Sequence, residues 1–284
     1  MWEEIRYKVL HSGSKLNLLI GINVAVFLAL GIIGVIEALS TSRNVLGDTI
    51  YHYLALPSNI PTLLTHFWTP ITYMFMHDGI WHIVMNMIWF YWMGSIFEEY
   101  LGAQKLLALY LLGGLAGAFF FVLGYNVFPL FASVRVAGTV VGASAAIMAI
   151  IVGTATLLPD YTIFFMFIGP VRLKWLAAIF VVIDLLSLAS SNAGGELSHL
   201  GGALMGFIYI KQLQKGNDMG ASIGKLFKPK PNLTVASKNL KNTTTKPRQD
   251  EIDRILDKIS NSGYDSLSKQ EKETLFRASA DDKS

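Results

Sequence analysis

Val140-Val141-Gly142-Ala143-Ser144-Ala145-Ala146 is a run of small residues that opens an otherwise apolar helix, and Ser144 is its only hydroxyl. At a helix start the backbone N–H groups lack intrahelical partners, and the positive end of the helix dipole favours a developing negative charge. Ser144 is therefore the candidate nucleophile. In that role it needs a base to take its proton, donors for an oxyanion and, inside a membrane, an apolar bundle to hold them together.

Composition points to such a bundle. Of the 284 residues, 52% are hydrophobic and 15% charged, and the mean hydropathy of +0.46 is too high for an ordinary soluble domain. Ionisable residues are sparse from Leu16 to Ile210, whereas the stretch after Lys211 is rich in Lys, Asp and Glu. This contrast marks an integral membrane core followed by a water-soluble tail. Cysteine is absent, which excludes a disulfide framework, a thiolate metal site and a cysteine nucleophile. The net charge of +3 is small and the basic residues gather near the apparent membrane edges, where they set topology rather than bind nucleic acid.

The apolar run from Leu16 to Ile36 is longer than a signal-peptide core of about 7–15 residues, so it reads as a retained membrane helix. The connection from Glu37 to Ile80, with Pro57, Pro61, Pro70, Phe67, Trp68 and Tyr73, is too long for a linker and too apolar to be fully solvated. It is expected to pack at the membrane interface, with short helices of its own. Further spans are predicted from Trp81 to Glu98, Lys105 to Tyr125, Gly142 to just before Pro159, Leu173 to Ala189 and Leu197 to Ile210. The last three are short or carry polar groups, as befits protein-buried helices around a water-accessible site. Arg6, Lys8, Lys15, Lys105, Arg172, Lys174, Lys211 and Lys215 fall on one side of this arrangement, opposite Arg43 and Arg135. Six spans with both termini cytoplasmic satisfy the positive-inside rule.

The expected organisation is a cytoplasmic segment 1–15, a six-helix membrane domain 16–213, a flexible linker 214–249 and a helix-loop-helix tail 250–284. In the tail, Ile252, Ile255, Leu256 and Ile259 recur at helical spacing and Gly263 is a stop. Ser268 with Glu271 makes a capping box for a second helix carrying Leu275 and Phe276. So small a hairpin buries little surface by itself and calls for a partner, either an unknown cytoplasmic one or the membrane domain. Asn232-Leu233-Thr234 and Asn242-Thr243-Thr244 match the glycosylation pattern, but the predicted cytoplasmic position argues against it.

The polar side chains of the apolar core form a small set: His77, His82, Asn86, Glu98, Ser144, Asp184, Glu196, Ser198 and His199. Such groups are expensive at membrane depth, so each needs a partner or a task. Histidine is the usual base near neutral pH, and His199 shares a helix face with Gly202 and Gly206. Ala145, Ala149 and Gly153 make a matching small stripe on the Ser144 helix, which lets the two helices approach closely and brings Ser144 within reach of His199. His82 and Asn86, four apart, present two hydrogen-bonding groups on one face, as an oxyanion hole requires. The competing readings are a packing seam for Ser144 and the glycines, and interhelical hydrogen bonds for His82 and Asn86. His77, just outside that helix, is assigned to tying down the loop. Asp184, an acid within the fifth span, could shape gating, touch substrate or sit near the outer interface, and the interfacial reading is favoured. Asp184 and Asp160 lack the glycine-flanked setting of an aspartyl protease, and no His-Glu-x-x-His run is present, so no metal is expected.

His77-x4-His82-x3-Asn86, the Gly142-Ala143-Ser144 turn and Ser198-His199-Leu200-Gly201-Gly202 with Gly206 one turn onward together resemble the rhomboid family of intramembrane serine proteases in its basic six-helix form. The resemblance covers roughly Leu16 to Leu213 and leaves the tail aside. It implies an all-α membrane bundle with Ser144 as nucleophile, His199 as base, and His82 and Asn86 as oxyanion donors. It also implies a structural role for Glu98, cleavage of single-pass membrane proteins in or near their transmembrane segment, and gating by the fifth helix and the loop before the sixth. No carboxylate is required to orient the histidine, and no cofactor is needed. The chain departs from the family pattern at Ala145, commonly glycine, at Met148, where many members place an aromatic, at Ser198, usually alanine, and at Trp68-Thr69, frequently tryptophan–arginine. A rhomboid-like binder without activity and a small transporter are the rival readings. The first is disfavoured by the presence of every reacting residue, the second by the lack of internal repeats or paired broken helices. The simplicity of the chain suggests a bacterial plasma (inner) membrane.

Overall fold

The helix from Lys15 to Thr41 (α1) starts where a carboxylate meets it. Glu98, from a neighbouring helix, accepts from the Ser14 hydroxyl at 2.6 Å and from the Lys15 and Leu16 amides at 2.7 and 3.2 Å, satisfying donors that have no intrahelical partner. Near its other end Glu37 accepts from the Leu46 and Gly47 amides at 2.5 and 2.8 Å and caps the next helix, Val45–Leu54 (α2). Two of the few acids in apolar helices thus serve as N-terminal caps. The computed structural model describes residues 6, 7, 9, 12–41, 45–165, 169–189, 192–221, 223 and 249–281. Arg43, most of the predicted linker, and Asn232 and Asn242 lie outside them.

The long connection is a chain of short elements: β1 (Leu56–Pro57), α3 (Ile60–Thr65), capped by Asn59, and α4 (Thr69–Thr72). It is fixed by side chains that satisfy its backbone. Trp68 Nε1 donates to the Tyr53 carbonyl at 2.7 Å and its ring stacks on Tyr53; Tyr110 donates to the Met74 carbonyl at 3.0 Å; and Tyr73 donates to the Gly114 carbonyl at 2.6 Å. Two long helices follow, α5 (Ile80–Leu101) and α6 (Ala103–Val127), joined at Gly102, whose φ of +84° reverses the chain. β2 (Thr139–Val140) pairs antiparallel with β1, Leu56 opposite Val140 and Pro57 opposite Thr139, and leads directly into α7 (Ser144–Leu157). A hairpin of β3 (Thr162–Phe165) and β4 (Gly169–Arg172) then leads to α8 (Leu173–Leu186) and α9 (Ala193–Gln214). Outside the membrane helices, Asp160 is held below the ordinary carboxylate range by the Lys174 ammonium at 2.7 Å, with Arg172 at 3.3 Å.

The structure is mostly helical. The two short ladders depart from the all-α expectation, and β1–β2 pairs backbone groups that a loop lying against apolar helices would otherwise leave unsatisfied. The stretches Lys15–Ser40, Ile80–Leu101 and Ala103–Val127 are long and apolar enough to cross a membrane. At 14 residues each, α7 and α8 reach only about 21 Å at the standard helical rise. α9 begins at Ala193, ahead of the predicted start at Leu197, where Gly194 packs against another helix: a Cβ there would lie 2.9 Å from the Phe121 ring and 3.0 Å from the Tyr125 hydroxyl.

α6, α7 and α9 meet almost backbone to backbone. A Cβ at Gly202 would collide with the Ala145 carbonyl oxygen, one at Gly206 with that of Ala149, and one at Gly113 with the Ala149 methyl. Gly117 lies against the Ala145 methyl and 2.9 Å from the Ser198 carbonyl oxygen, measured from the Cβ it lacks. Around this junction pack Phe90, Phe97, Tyr110, Phe121 and Ile150, all fully buried.

Contacts divide the chain into two units, Met1–Pro229 and Lys230–Ser284. In the second, α10 (Gln249–Ser262) ends at Gly263, with φ +77°, and α11 (Lys269–Asp281) follows. The Ser268 amide donates to Glu271 at 2.7 Å and the Glu271 amide donates to the Ser268 hydroxyl at 3.3 Å, a reciprocal capping box. Lys258 of α10 donates to both Glu271 oxygens at 2.9 and 3.0 Å, and with the Ser268 bonds it draws this carboxyl down to about 2.

Two outcomes follow from these contacts. Gly206→Val is expected to destabilise the detergent-solubilised protein by about 3 kcal/mol. Gly31→Val, at a position with open space around it, is expected to change stability by no more than about 0.5 kcal/mol in thermal unfolding. In the tail, the low value of Glu271 means that its stabilisation is present above the ordinary carboxylate range and lost as pH falls towards about 2. Glu271→Gln should therefore lower amide protection of α11 at pH 7, and the difference from the unmodified protein should vanish near pH 2.

Candidate active site

Ser144 is the first residue of α7, following Ala143, which makes no side-chain cap. The first-turn amides of Ser144, Ala145 and Ala146 therefore have no partner within the helix. The turn before it is held on two sides: β2 is laddered to β1, and the Gly142 amide donates to the Tyr73 carbonyl at 2.9 Å. Gly142 has φ +134°, and a Cβ there would lie 2.9 Å from His82 Nε2 and 3.4 Å from Ser144 Oγ. Glycine is thus required both by the backbone and by the approach of the imidazole to the serine.

Ser144, His82, Asn86 and His199 line one cavity of about 400 Å³, together with Tyr51, Asp78 and Asn192. Just before α5, the Asp78 amide donates to His82 Nδ1 at 3.4 Å, which leaves the proton on Nε2, the nitrogen that lies against Gly142. Asn86 donates one amide hydrogen to the His82 carbonyl at 2.8 Å and keeps a second for the cavity. His77 packs edge-on against His82, with ring centroids 5.0 Å apart; its ring nitrogens are buried and make no hydrogen bond among the described residues.

His199, on α9, directs Nδ1 towards α8. Asp184 Oδ1 of α8 lies 3.1 Å from Nδ1 and Glu196 Oε2 lies 3.6 Å from it. No hydrogen bond joins Ser144 to His199 among the described residues, a common state for a serine–histidine pair without substrate. Asp184 lies two residues before the end of α8, 6% exposed and turned towards His199. Its position along the chain gave depth, whereas the rotation of α8 about its axis, set by packing, decides which way it points. The available signal was a lone acid in an apolar run, together with Glu196 and His199 three apart on one face. Asp184, Glu196 and His199 offer ligand atoms within 4.8 Å of one another, the one described group able to hold a cation.

The remaining singled-out positions are structural. Glu98 caps α1, and Gly202 and Gly206 form the contact with α7. Ser198 donates to the Gly194 carbonyl of its own helix at 3.1 Å, and Met148 is buried in the main core.

The family model for the rhomboid domain matches residues 64–215, which is more than half of the chain. The chain belongs to the rhomboid family. Its relatives include "RHOMBOID-like protein 12, mitochondrial" of Arabidopsis thaliana, 34% identical over 159 residues that make up 52% of this chain and 47% of that protein. The chain thus spans about half the length of this curated relative. Residues 241–281 match a second family model, a family of unknown function named DUF6576. The rhomboid match covers β2, α5–α9 and every residue that lines the cavity except Tyr51, so the polar groups of Ser144, His82, Asn86 and His199 belong to the rhomboid domain of an integral, multi-pass membrane protein.

Proposed function

We propose that this rhomboid-family protein is an intramembrane serine endopeptidase that cleaves single-pass membrane proteins in or near their transmembrane segment. The observation that carries the reading is the convergence on one cavity of a serine at a helix start, a histidine and two further hydrogen-bonding side chains. In this reading Ser144 Oγ attacks the scissile carbonyl carbon and its proton passes to His199 Nε2. The resulting oxyanion is held by the Ser144 amide, His82 Nε2–H and the free amide hydrogen of Asn86. The His199 proton then passes to the leaving amine, the C–N bond breaks, and water releases the acyl group by the same steps.

The six helices α1, α5, α6, α7, α8 and α9 serve as the membrane spans, with both termini on the cytoplasmic side. Support comes from the basic residues at Arg172, Lys174, Lys211 and Lys215, and from the short α7 and α8, which suit a thinned, water-accessible centre. A bacterial plasma membrane is the setting this simple chain suits. Substrate reaches the cavity between α5 and α8, where Trp89 and Phe180 meet edge-on with centroids 4.8 Å apart. The mostly exposed outer face of α8, with Ile179, Val182, Ile183 and Leu186, gives it the freedom of a gate. The 250–284 hairpin serves to bind a cytoplasmic partner.

Cleavage of a reporter single-pass substrate in detergent tests this function. Ser144→Ala and His199→Ala should abolish product, and His82→Ala should lower kcat by about 10² to 10³, as loss of one oxyanion donor does. Product formation at the unmodified rate by both Ser144→Ala and His199→Ala would refute the peptidase reading.

A further inference from the structure

We infer that Asp184 is a positioning residue for His199, making a third member of a relay that the serine–histidine reading does not require. This rests on the proposed peptidase function and adds to it. Three observations carry it. Asp184 Oδ1 is within hydrogen-bond distance of His199 Nδ1, at 3.1 Å, across the interface of α8 and α9. Asp184 is itself buried, 6% exposed, and its Oδ2 has no hydrogen-bond partner among the described residues. It stands in Phe180-Val181-Val182-Ile183-Asp184-Leu185-Leu186, where an apolar side chain would satisfy packing at no polar cost.

An ionised carboxylate only accepts hydrogen bonds, so its contact fixes the proton of neutral His199 on Nδ1. Nε2, on the far side of the ring, is then left with its lone pair free to take the Ser144 proton. As the imidazolium forms, the adjacent negative charge stabilises it. Glu196 lies on the same side at 3.6 Å, beyond a good N–H···O bond, and one of its oxygens already accepts from Asn192 Nδ2 at 3.2 Å. It adds charge, whereas Asp184 adds the directed bond. The other titratable groups facing the cavity, His82 and Asp78 from the α5 side and Tyr51 and Tyr125, have no hydrogen bond to His199 among the described residues.

Asp184→Asn conserves shape but can donate an amide hydrogen to Nδ1, which moves the imidazole proton to Nε2 and blocks the base. In serine proteases with a full triad that exchange costs about 10⁴ in kcat. Here the full-length protein, the reporter substrate and the variants Asp184→Asn, Asp184→Glu, Ser144→Ala and His199→Ala are compared. The expected result is a fall in kcat of at least tenfold for Asp184→Asn, with KM within about twofold and unchanged thermal unfolding, and partial recovery in Asp184→Glu. Unmodified kcat in Asp184→Asn, beside inactive Ser144→Ala and His199→Ala, would overturn this assignment alone. Equal losses of kcat and thermal stability in the Asn and Glu variants would overturn it in favour of a packing role. Activity lost to a chelator and restored by a divalent cation would overturn it in favour of a metal site at the same three side chains. Active Ser144→Ala and His199→Ala would remove the peptidase reading and this one with it.

Discussion

The contact of Gly202 and Gly206 with the carbonyl oxygens of Ala145 and Ala149 is the constraint on which the rest depends. Side chains on either helix would hold the axes of α7 and α9 apart, and the cavity that Ser144 and His199 share would open into two unrelated surfaces. α6 closes the third side through Gly113 and Gly117, so three backbones meet around the methyls of Ala145 and Ala149. In a membrane, where lipid tails are as apolar as leucine, such close packing is a main source of helix association. The extra methyl of Ala145, where the family commonly has glycine, is accommodated because Gly117 on the facing helix α6 leaves room for it.

Once the backbones are this close, polar groups become both costly and directive. Glu98 and Glu37 pair with helix N-termini, Thr154 and Ser198 with carbonyls of their own helices, and Tyr73 and Tyr110 with carbonyls across the fold. These bonds tie the long connection to the bundle, and through the Gly142–Tyr73 bond and the β1–β2 ladder they set the turn that presents Ser144. His82, Asn86, Ser144 and His199 face a cavity, with Tyr51, Asp78 and Asn192 beside them. The Asp184–His199 pair is different again, because it joins the loosely held α8 to the centre of the site.

The sequence was most legible where a local pattern carries the physics. Apolar runs marked the long helices, the four-residue spacing of Ala145, Ala149, Gly202 and Gly206 marked a close approach, and Ser268 with Glu271 marked a helix start in the tail. Ser144, His82, Asn86 and His199, singled out from the sequence, line one cavity, where Tyr51, Asp78 and Asn192 had not been singled out, and their chemical roles rest on the proposal above. Contacts between distant segments were not legible. Leu56-Pro57 and Thr139-Val140 are too short to show a strand period, and nothing in either announces the other. The direction of Asp184 depends on the rotation of α8, which hydropathy does not encode, and the early start of α9 at Gly194 goes with Phe121 and Tyr125 from another helix.

The claim that Ser144 is a nucleophile activated by His199 is tested most directly by mapping a fluorophosphonate adduct on the detergent-solubilised protein by mass spectrometry. The account predicts a single adduct on Ser144 that disappears in His199→Ala. An adduct on another residue, or labelling that persists after Ser144→Ala, would contradict it.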